Sequence, residues 1–287
     1  MILILGGNSQ LGCYLNLNIK KSVLISKTEC DITKISDIKK LFKKYNPKFI
    51  FNCAAYTNTV LAEKEIRKVF NINSFPLRDL VKLSNQYNCK FIHFSTDYVF
   101  DGSKNKPYIE SDSVNPINIY GQSKLMGELI VQNYCKKYLI IRLSSLYGHP
   151  LAGINNHNSF VSKIIALSKS KKKIYVNDIR ISPTYIGDAA MQINKIFKKV
   201  NNEIVHCSSL GSTTWYKFAK YVFDSKKILK KIYKSEVYDD KKIKRPLFSV
   251  LKNQYLIKKN INIMPDWKVG YKNFIKDLNL KKTTHLH

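Results

Sequence analysis

The stretch that most limits how this chain can fold is its beginning. An apolar run, Ile2 to Leu5, passes directly into Gly6-Gly7-Asn8-Ser9-Gln10-Leu11-Gly12. A short apolar segment closed by paired glycines reads as strand, tight turn and helix start. Glycine lets the backbone approach a ligand closely. The N–H groups and positive dipole end of the following helix suit a pyrophosphate. Ser9 stands where a third glycine is expected, which makes the turn less permissive. Without a ligand, the same residues make a tight connection and nothing more.

The pattern of that first unit continues. Further strands are predicted at Ser22 to Ser26, Phe49 to Cys53, Phe91 to Phe94 and Leu139 to Leu143. Between them, Asp31 to Tyr45 has helical spacing at Ile32, Ile35, Ile38, Leu41 and Phe42, Glu63 to Tyr87 is helical with a break or restart forced by Pro76, and Tyr120 to Cys135 is a long helix. Short apolar strands alternating with helices predict an α/β fold: a Rossmann-type, doubly wound parallel sheet over residues 1–146. Such a sheet binds ligands beyond the C-terminal ends of its strands. From residue 147 to 287 loops lengthen and prolines punctuate the chain, which predicts a smaller C-terminal substrate-binding lobe. Residues 184–207 are expected to return a helix and a strand to the main sheet.

Composition removes several classes. No apolar run approaches a membrane span, and Met1 leads into a strand without a basic leader, so a cytoplasmic protein with no membrane partner is expected. The six cysteines form no C-x-x-C pair and read as reduced, structural residues. The six histidines lack metal-ligand spacing, so no metal is expected, and His93 and His206 read as satisfied residues of apolar strands. The net charge of +29 admits an anionic partner, but the lysines are spread along the chain and no nucleic-acid motif accompanies them. No nucleic-acid partner is expected.

The chemistry-bearing residues come next. Tyr120 and Lys124, four apart, share one helix face. An ammonium beside a phenol lowers the phenol's pKa and prepares it to exchange a proton with a carbonyl or alcohol oxygen. Thr96, ending the fourth strand, can hold the same oxygen. The second strand ends in Ser26-Lys27-Thr28, where an acidic residue would hold the ribose of NAD. A hydroxyl and an ammonium suit a 2′-phosphate, which favours NADPH while leaving NADH possible; equally, Lys27 reads as one more exposed lysine. Asp31 and Ile32 would flank the adenine, and Ala54 and Ala55 leave room for a cofactor against backbone.

The chain resembles the dTDP-4-dehydrorhamnose reductases, within the extended short-chain dehydrogenase/reductases. The resemblance rests on Gln10-Leu11-Gly12, on Asn52 to Thr57, on Ser95-Thr96-Asp97-Tyr98-Val99-Phe100-Asp101-Gly102 and on Pro116-Ile117-Asn118-Ile119-Tyr120-Gly121-Gln122-Ser123-Lys124. Later pieces are Ser182-Pro183-Thr184, Thr213 to Tyr216, Lys244-Arg245-Pro246 and Pro265-Asp266-Trp267. By that resemblance Tyr120 is the proton donor, Lys124 binds the nicotinamide ribose and tunes Tyr120, and Thr96 bonds the reacting oxygen. Gly6, Asn8, Ser9, Gln10, Leu11, Ala54, Ala55 and Thr57 would line the cofactor. Thr96, Asp97, Tyr98, Ser145, Asn158 and Arg245 would meet the substrate. The reaction implied is NAD(P)H-dependent reduction of the 4-keto group of a nucleotide-linked 6-deoxyhexulose, dTDP-4-dehydro-L-rhamnose to dTDP-L-rhamnose, in deoxysugar and polysaccharide biosynthesis.

Three departures surround the pair. Thr59-Val60-Leu61-Ala62-Glu63 lacks the family's Asp, Ser145 replaces a Trp, and Ile181 stands where the family has Gly before Ser182-Pro183-Thr184. They put the exact sugar in question, and a UDP-linked 4-keto sugar is an alternative substrate. A non-catalytic regulatory subunit is an alternative use of the fold, as in the regulatory subunit of methionine adenosyltransferase. A homodimer is possible.

Overall fold

The computed structural model describes residues 1–149, 159–235 and 243–284, with side chains through Asp277. The first half alternates strands and helices: β1 (Ile2–Leu5), α1 (Gln10–Asn18), β2 (Ser22–Ile25), α2 (Ile35–Tyr45), β3 (Phe49–Asn52), α3 (Thr59–Ala62), α4 (Ile66–Asn73), α5 (Pro76–Gln86), β4 (Lys90–Thr96), α6 (Ile119–Tyr134) and β5 (Tyr138–Leu143). Pro76 restarts the helix as expected, at a position where its missing N–H has no partner to lose. The stretch from Glu63 to Tyr87 is therefore two helices, α4 and α5, and α3 precedes it.

The second half carries β6 (Leu146–Tyr147), α7 (Phe160–Ser168), β7 (Ile174–Val176), β8 (Arg180–Ile181), β9 (Thr184–Tyr185), α8 (Ile186–Ile196), β10 (Glu203–His206), β11 (Thr213–Thr214), α9 (Trp215–Ser225), β12 (Ile232–Lys234), α10 (Gln254–Lys258) and α11 (Trp267–Thr284). Six strands form one parallel sheet in the order β10-β5-β4-β3-β1-β2. The chain leaves β1 first toward β2 and then returns past it to β3, so the switch point lies between β1 and β3. The remaining strands pair in twos: β11 with β8, β12 with β7 and β6 with β9.

Two apolar layers cover the sheet. On one face Leu3, Leu5, Ile50, Phe91 and Ile140 pack under α2, α5 and α6. On the other, Ile4, Phe51, Ile92 and Ile141 pack under α1 and α8, and that layer continues to Trp267 and Phe274 of α11. Phe51 is fully buried there, with its ring 5.2 Å from that of Phe197 and 6.4 Å from that of Phe94. Both halves of the chain thus contribute to one core. Lys90 opens β4 from the opposite edge of the sheet. Its ammonium donates to the carbonyls of Phe197 and Val200 at 2.6 and 2.5 Å, closing the end of α8. It belongs to a cleft of about 730 Å³ with Lys48, Lys136, Lys137 and Lys198, so the lysines are less dispersed than the sequence suggests. No helix among the described residues is long and apolar enough to cross a membrane, and no metal-ligating cluster occurs among them.

Candidate active site

At the switch point, Gly6 adopts φ +71° and lies so close to the next strand that a Cβ on it would fall 2.6 Å from the Ala54 nitrogen. Only glycine satisfies both demands. Ser9 has φ −83°, which any residue adopts, and its hydroxyl caps α1 by accepting from the Gly12 N–H at 3.0 Å. The expected loss of permissiveness at Ser9 is therefore corrected: that position needs a cap, not a glycine. The exposed Asn8 and the half-buried Gln10 follow the turn, with the Gln10 amide donating to the His149 carbonyl at 3.4 Å. Leu11 leans partly into the core. Ala54 and Ala55 are half-buried and Thr57 exposed in the loop after β3. A bared backbone, small side chains opposite it and a capped helix start fit a dinucleotide pyrophosphate.

After β2 the arrangement differs from expectation. The Glu29 carboxylate accepts from the Ser26 N–H at 2.8 Å and from its hydroxyl at 2.7 Å, which holds Glu29 below the usual carboxylate range. An acidic side chain thus occupies the place the sequence reading left to a hydroxyl and an ammonium. Its signal was available, three residues beyond the strand end. Lys27 is exposed and reaches Asp31 at 3.9 Å. Ile32, expected beside the adenine, is buried in the layer beneath α2, because its side chain completes that apolar face. Asp31 is left half-buried at the rim. Beside this loop runs a groove of about 920 Å³ lined by Lys27, Arg67, Lys68 and Arg78, with Asp79 as its one carboxylate.

The catalytic candidates meet at the C-terminal edge of β4. Thr96 ends the strand and caps a single 3-10 turn, Asp97–Val99, by accepting from the Tyr98 N–H at 3.2 Å. Asn118 caps α6 by accepting from the Gly121 N–H at 2.8 Å, and Glu63 accepts the Ile119 N–H at 2.9 Å. A Cβ on Gly121 would stand 2.2 Å from the Tyr98 carbonyl oxygen. Glycine there lets α6 press on the Thr96 turn, and the Tyr120 and Tyr98 rings meet edge to face at 5.9 Å. The Thr96 hydroxyl lies close enough to the Tyr120 phenol to draw its pKa down.

Lys124 lies one turn further along, 3% exposed. Burial lowers its ammonium to about 8, against the opposing influence of Glu128 and of the Cys53 thiol. The expected depression of Tyr120 by Lys124 is not among the influences on the phenol. Burial pushes the phenol up, the Asp97 charge pushes it further, and only the Thr96 hydroxyl pulls it down. The reason is geometric: Lys124 faces Cys53, His93 and Glu128. Beneath it, buried oxygens or nitrogens of Asn52, His93 and Ser95 have no partner, so His93 is not the satisfied strand residue its setting predicted. Sequence reading missed this polar layer because strand pairing, not spacing, assembles it.

On the substrate side, Asp97 is 4% exposed and accepts from Thr96 at 3.0 Å and Ser144 at 2.9 Å. Burial raises it to about 6, against hydrogen bonds from Ser249, Ser144 and Thr96. Ser144 was not foreseen. Ser145 adopts φ +46°, a left-handed conformation uncommon for serine, and its carbonyl accepts the Thr184 N–H at 3.2 Å. Arg245 donates to the Tyr98 hydroxyl at 3.4 Å, and Asn118 holds the neighbouring Lys244 carbonyl at 3.0 Å. Asn158 lies outside the described residues. The arrangement can offer one proton from Tyr120 and one hydroxyl from Thr96 to a single oxygen, beside a cradle for a dinucleotide.

Comparison with known proteins agrees with this geometry. Residues 1–280 match the RmlD substrate binding domain family. The spore coat polysaccharide biosynthesis protein SpsK of Bacillus subtilis (strain 168) is 30% identical over 96% of this chain and 97% of its own length. A dTDP-4-dehydrorhamnose reductase of Aggregatibacter actinomycetemcomitans is 32% identical over 78% of each chain. The crystal structure of a dTDP-4-dehydrorhamnose reductase from Bacillus anthracis str. Ames in complex with NADP superposes with a TM-score of 0.90 at 33% identity, covering 96% of this chain and 98% of the other.

Proposed function

The chain belongs to the dTDP-4-dehydrorhamnose reductase family, and we propose that Tyr120, Thr96 and Lys124 carry the family's reduction in it. It is an NAD(P)H-dependent oxidoreductase that reduces the 4-keto group of a nucleotide-linked 6-deoxyhexulose, dTDP-4-dehydro-L-rhamnose to dTDP-L-rhamnose, in deoxysugar and polysaccharide biosynthesis. The observation that carries the residue assignment is the Thr96–Tyr120 contact at the edge of β4, one helical turn from Lys124 and linked through Cys53 and Ala54 to the Gly6 cradle.

When bound, the nicotinamide cofactor supplies the hydride. Gly6, Asn8, Ser9, Gln10, Ala54, Ala55 and Thr57 hold its pyrophosphate side, Asp31 borders its adenine, and Lys124 binds the nicotinamide ribose. Thr96 turns its hydroxyl from Asp97 to the carbonyl oxygen and thereby orients it. Tyr120 gives that oxygen its proton as negative charge develops there. A developing alkoxide is far more basic than a phenolate, so a phenol held protonated by burial and by Asp97 is suited to this direction. Asp97, Tyr98 and Ser145 line the sugar, and Arg245 faces the diphosphate. NADPH is the reductant: the cations of the Lys27–Arg67–Lys68–Arg78 groove attract a 2′-phosphate, and Glu29, being exposed, can swing off Ser26 to admit it. The enzyme works in the cytoplasm, where nucleotide sugars are made, over a substrate lobe formed mainly by residues 147–287 and with a second copy of itself as a possible partner.

The test is to incubate the protein with NADPH, an epimerase and dTDP- or UDP-linked 4-keto-6-deoxyhexuloses and identify the sugar formed. Formation of dTDP-L-rhamnose with concurrent NADPH oxidation is expected. No oxidation with any of the substrates would leave only the regulatory use of the fold.

A further inference from the structure

Away from Tyr120, four buried oxygens have no hydrogen-bond partner among the described residues: Ser84 Oγ, alone on α5, and the group Tyr147 Oη, Asp188 Oδ2 and Ser209 Oγ. The three residues of that group are 0%, 2% and 1% exposed. They come from separate segments, β6, α8 and the loop after β10, and they converge. A Cβ built on Gly270 of α11 would have Asp188 Oδ2 at 3.1 Å, Ser209 Oγ at 3.5 Å and Tyr147 Oη at 3.8 Å as its nearest atoms beyond its own stretch of helix. Orphaned buried oxygens are rare, and three aimed at one point need a common explanation.

A second anomaly lies in the same place. In a chain of net charge +29, no lysine, arginine or histidine pairs with Asp188 among the described residues. Its other oxygen accepts from the Asn273 amide at 2.8 Å. Asp277, on the next turn of α11, adds repulsion and is itself bonded by the Tyr185 hydroxyl. The other titratable groups facing the point are the Cys207 thiol, the Tyr147 phenol and, behind it, Tyr271.

We propose that Tyr147, Asp188 and Ser209 enclose a binding site for one water molecule against Gly270. The chemistry matches such an occupant: a water donates to the carboxylate oxygen and to one hydroxyl and accepts from the other, the three bonds a buried water typically makes. Three oxygens are too few for a dehydrated alkali or alkaline-earth cation, which takes about six. The water fastens α11 to the segments behind the substrate side. Tyr147 lies two residues past Ser145, and the Ser209 N–H bonds the Thr184 hydroxyl, whose own N–H bonds the Ser145 carbonyl. Burial holds Asp188 up at about 6 with Asp277 adding to it, so the site contains a carboxylate above that pH and a carboxylic acid below it.

Gly270→Ala tests the proposal by the pH dependence of its effect. Alanine is the better helix former but its methyl would stand 3.1 Å from Asp188 Oδ2, so at an empty site helix propensity and crowding shift Tm alike at pH 5 and pH 8. At a hydrated site the new methyl displaces the water and strands the charged oxygen. The expected result is a Tm that falls at pH 8 and falls less at pH 5. A Tm shift equal at both, whether a rise or a fall, overturns the proposal. Ser209→Ala, which creates no crowding, should lower Tm slightly and leave it independent of the cation present. A Tm for the unaltered chain that rises in potassium chloride but not in choline chloride of equal ionic strength would replace the water by a cation and equally overturn it.

Discussion

Arg142 holds Glu128 with two parallel hydrogen bonds, Nε to Oε1 at 2.9 Å and Nη2 to Oε2 at 2.7 Å, both side chains being almost fully buried. Glu128 lies on α6 one turn after Lys124 and is the carboxylate that opposes the lysine's loss of charge. Glu128→Gln removes that support, so Lys124 deprotonates at lower pH. The alkaline limb of kcat/KM, which reports the free enzyme, is expected to move to lower pH. The stranded Arg142 costs about 3–5 kcal/mol of stability. Glu128→Asp, which keeps the charge, should restore the limb even where it does not restore the stability. A pH–rate series on the three proteins checks this, and an unmoved limb in the glutamine variant refutes it.

Tyr120→Phe leaves the ring packed edge to face on Tyr98 and removes only the proton. Turnover should fall by about 10²–10⁴-fold, the range general acid catalysis supplies, with cofactor affinity unchanged. Single-turnover kinetics and a cofactor titration separate the two. Equal turnover in the variant would return the role of acid to another group. Thr96→Val should also lower turnover by orienting the oxygen less well, but by a smaller factor.

These two residues were legible from sequence because helical spacing and strand ends are local properties. Tyr120 and Lys124 declare their shared face, and Thr96 declares its place at the edge of an apolar run. The sheet was legible for the same reason: each of its strands is a short apolar run bounded by polar turns. What stayed hidden depends on register and on contacts between distant segments. The ladder that sets Ser95 beside Arg142 builds the polar layer under α6, and neither residue announces the other. Asp97 finds Ser144, 47 positions away, only when β4 and β5 pair. Ile32, expected within the helix, lies in the turn before α2, and packing against the layer beneath α2 turns it inward rather than toward the adenine.

Glu29 sits where a 2′-phosphate would approach Ser26. Glu29→Gln removes one negative charge at an exposed position, where such interactions are worth about 0.2–1 kcal/mol. The KM for NADPH should therefore fall by about 1.4- to fivefold, while that for NADH stays level or rises as the ribose loses an acceptor. Steady-state kinetics with both cofactors gives the ratio. A larger KM for NADPH in the variant would mean that Glu29 acts by ordering the β2 loop instead of by its charge.

Asp97 provides the last prediction, because its two duties oppose each other. Its pKa is raised to about 6 by burial, so the native chain binds this proton more tightly than the unfolded chain does. Stability from the protonated form is full below the ordinary carboxylate range and is lost as pH rises through about 6. At pH 8 the buried charge is a cost on the order of 2 kcal/mol, and Asp97→Asn removes it. The variant should melt higher than the parent at pH 8 and nearly level with it at about pH 4. Turnover should fall at pH 8, because the Asp97 carboxylate accepts the Thr96 hydroxyl at 3.0 Å and its charge keeps the Tyr120 proton in place, and fall less at about pH 4, where the parent has lost that charge. Sites that hold a destabilising charge for function commonly show this divergence. Melting curves and turnover at the two pH values measure both arms. A variant that loses stability at pH 8 would show that the Ser144 and Thr96 hydrogen bonds outweigh the burial of the charge.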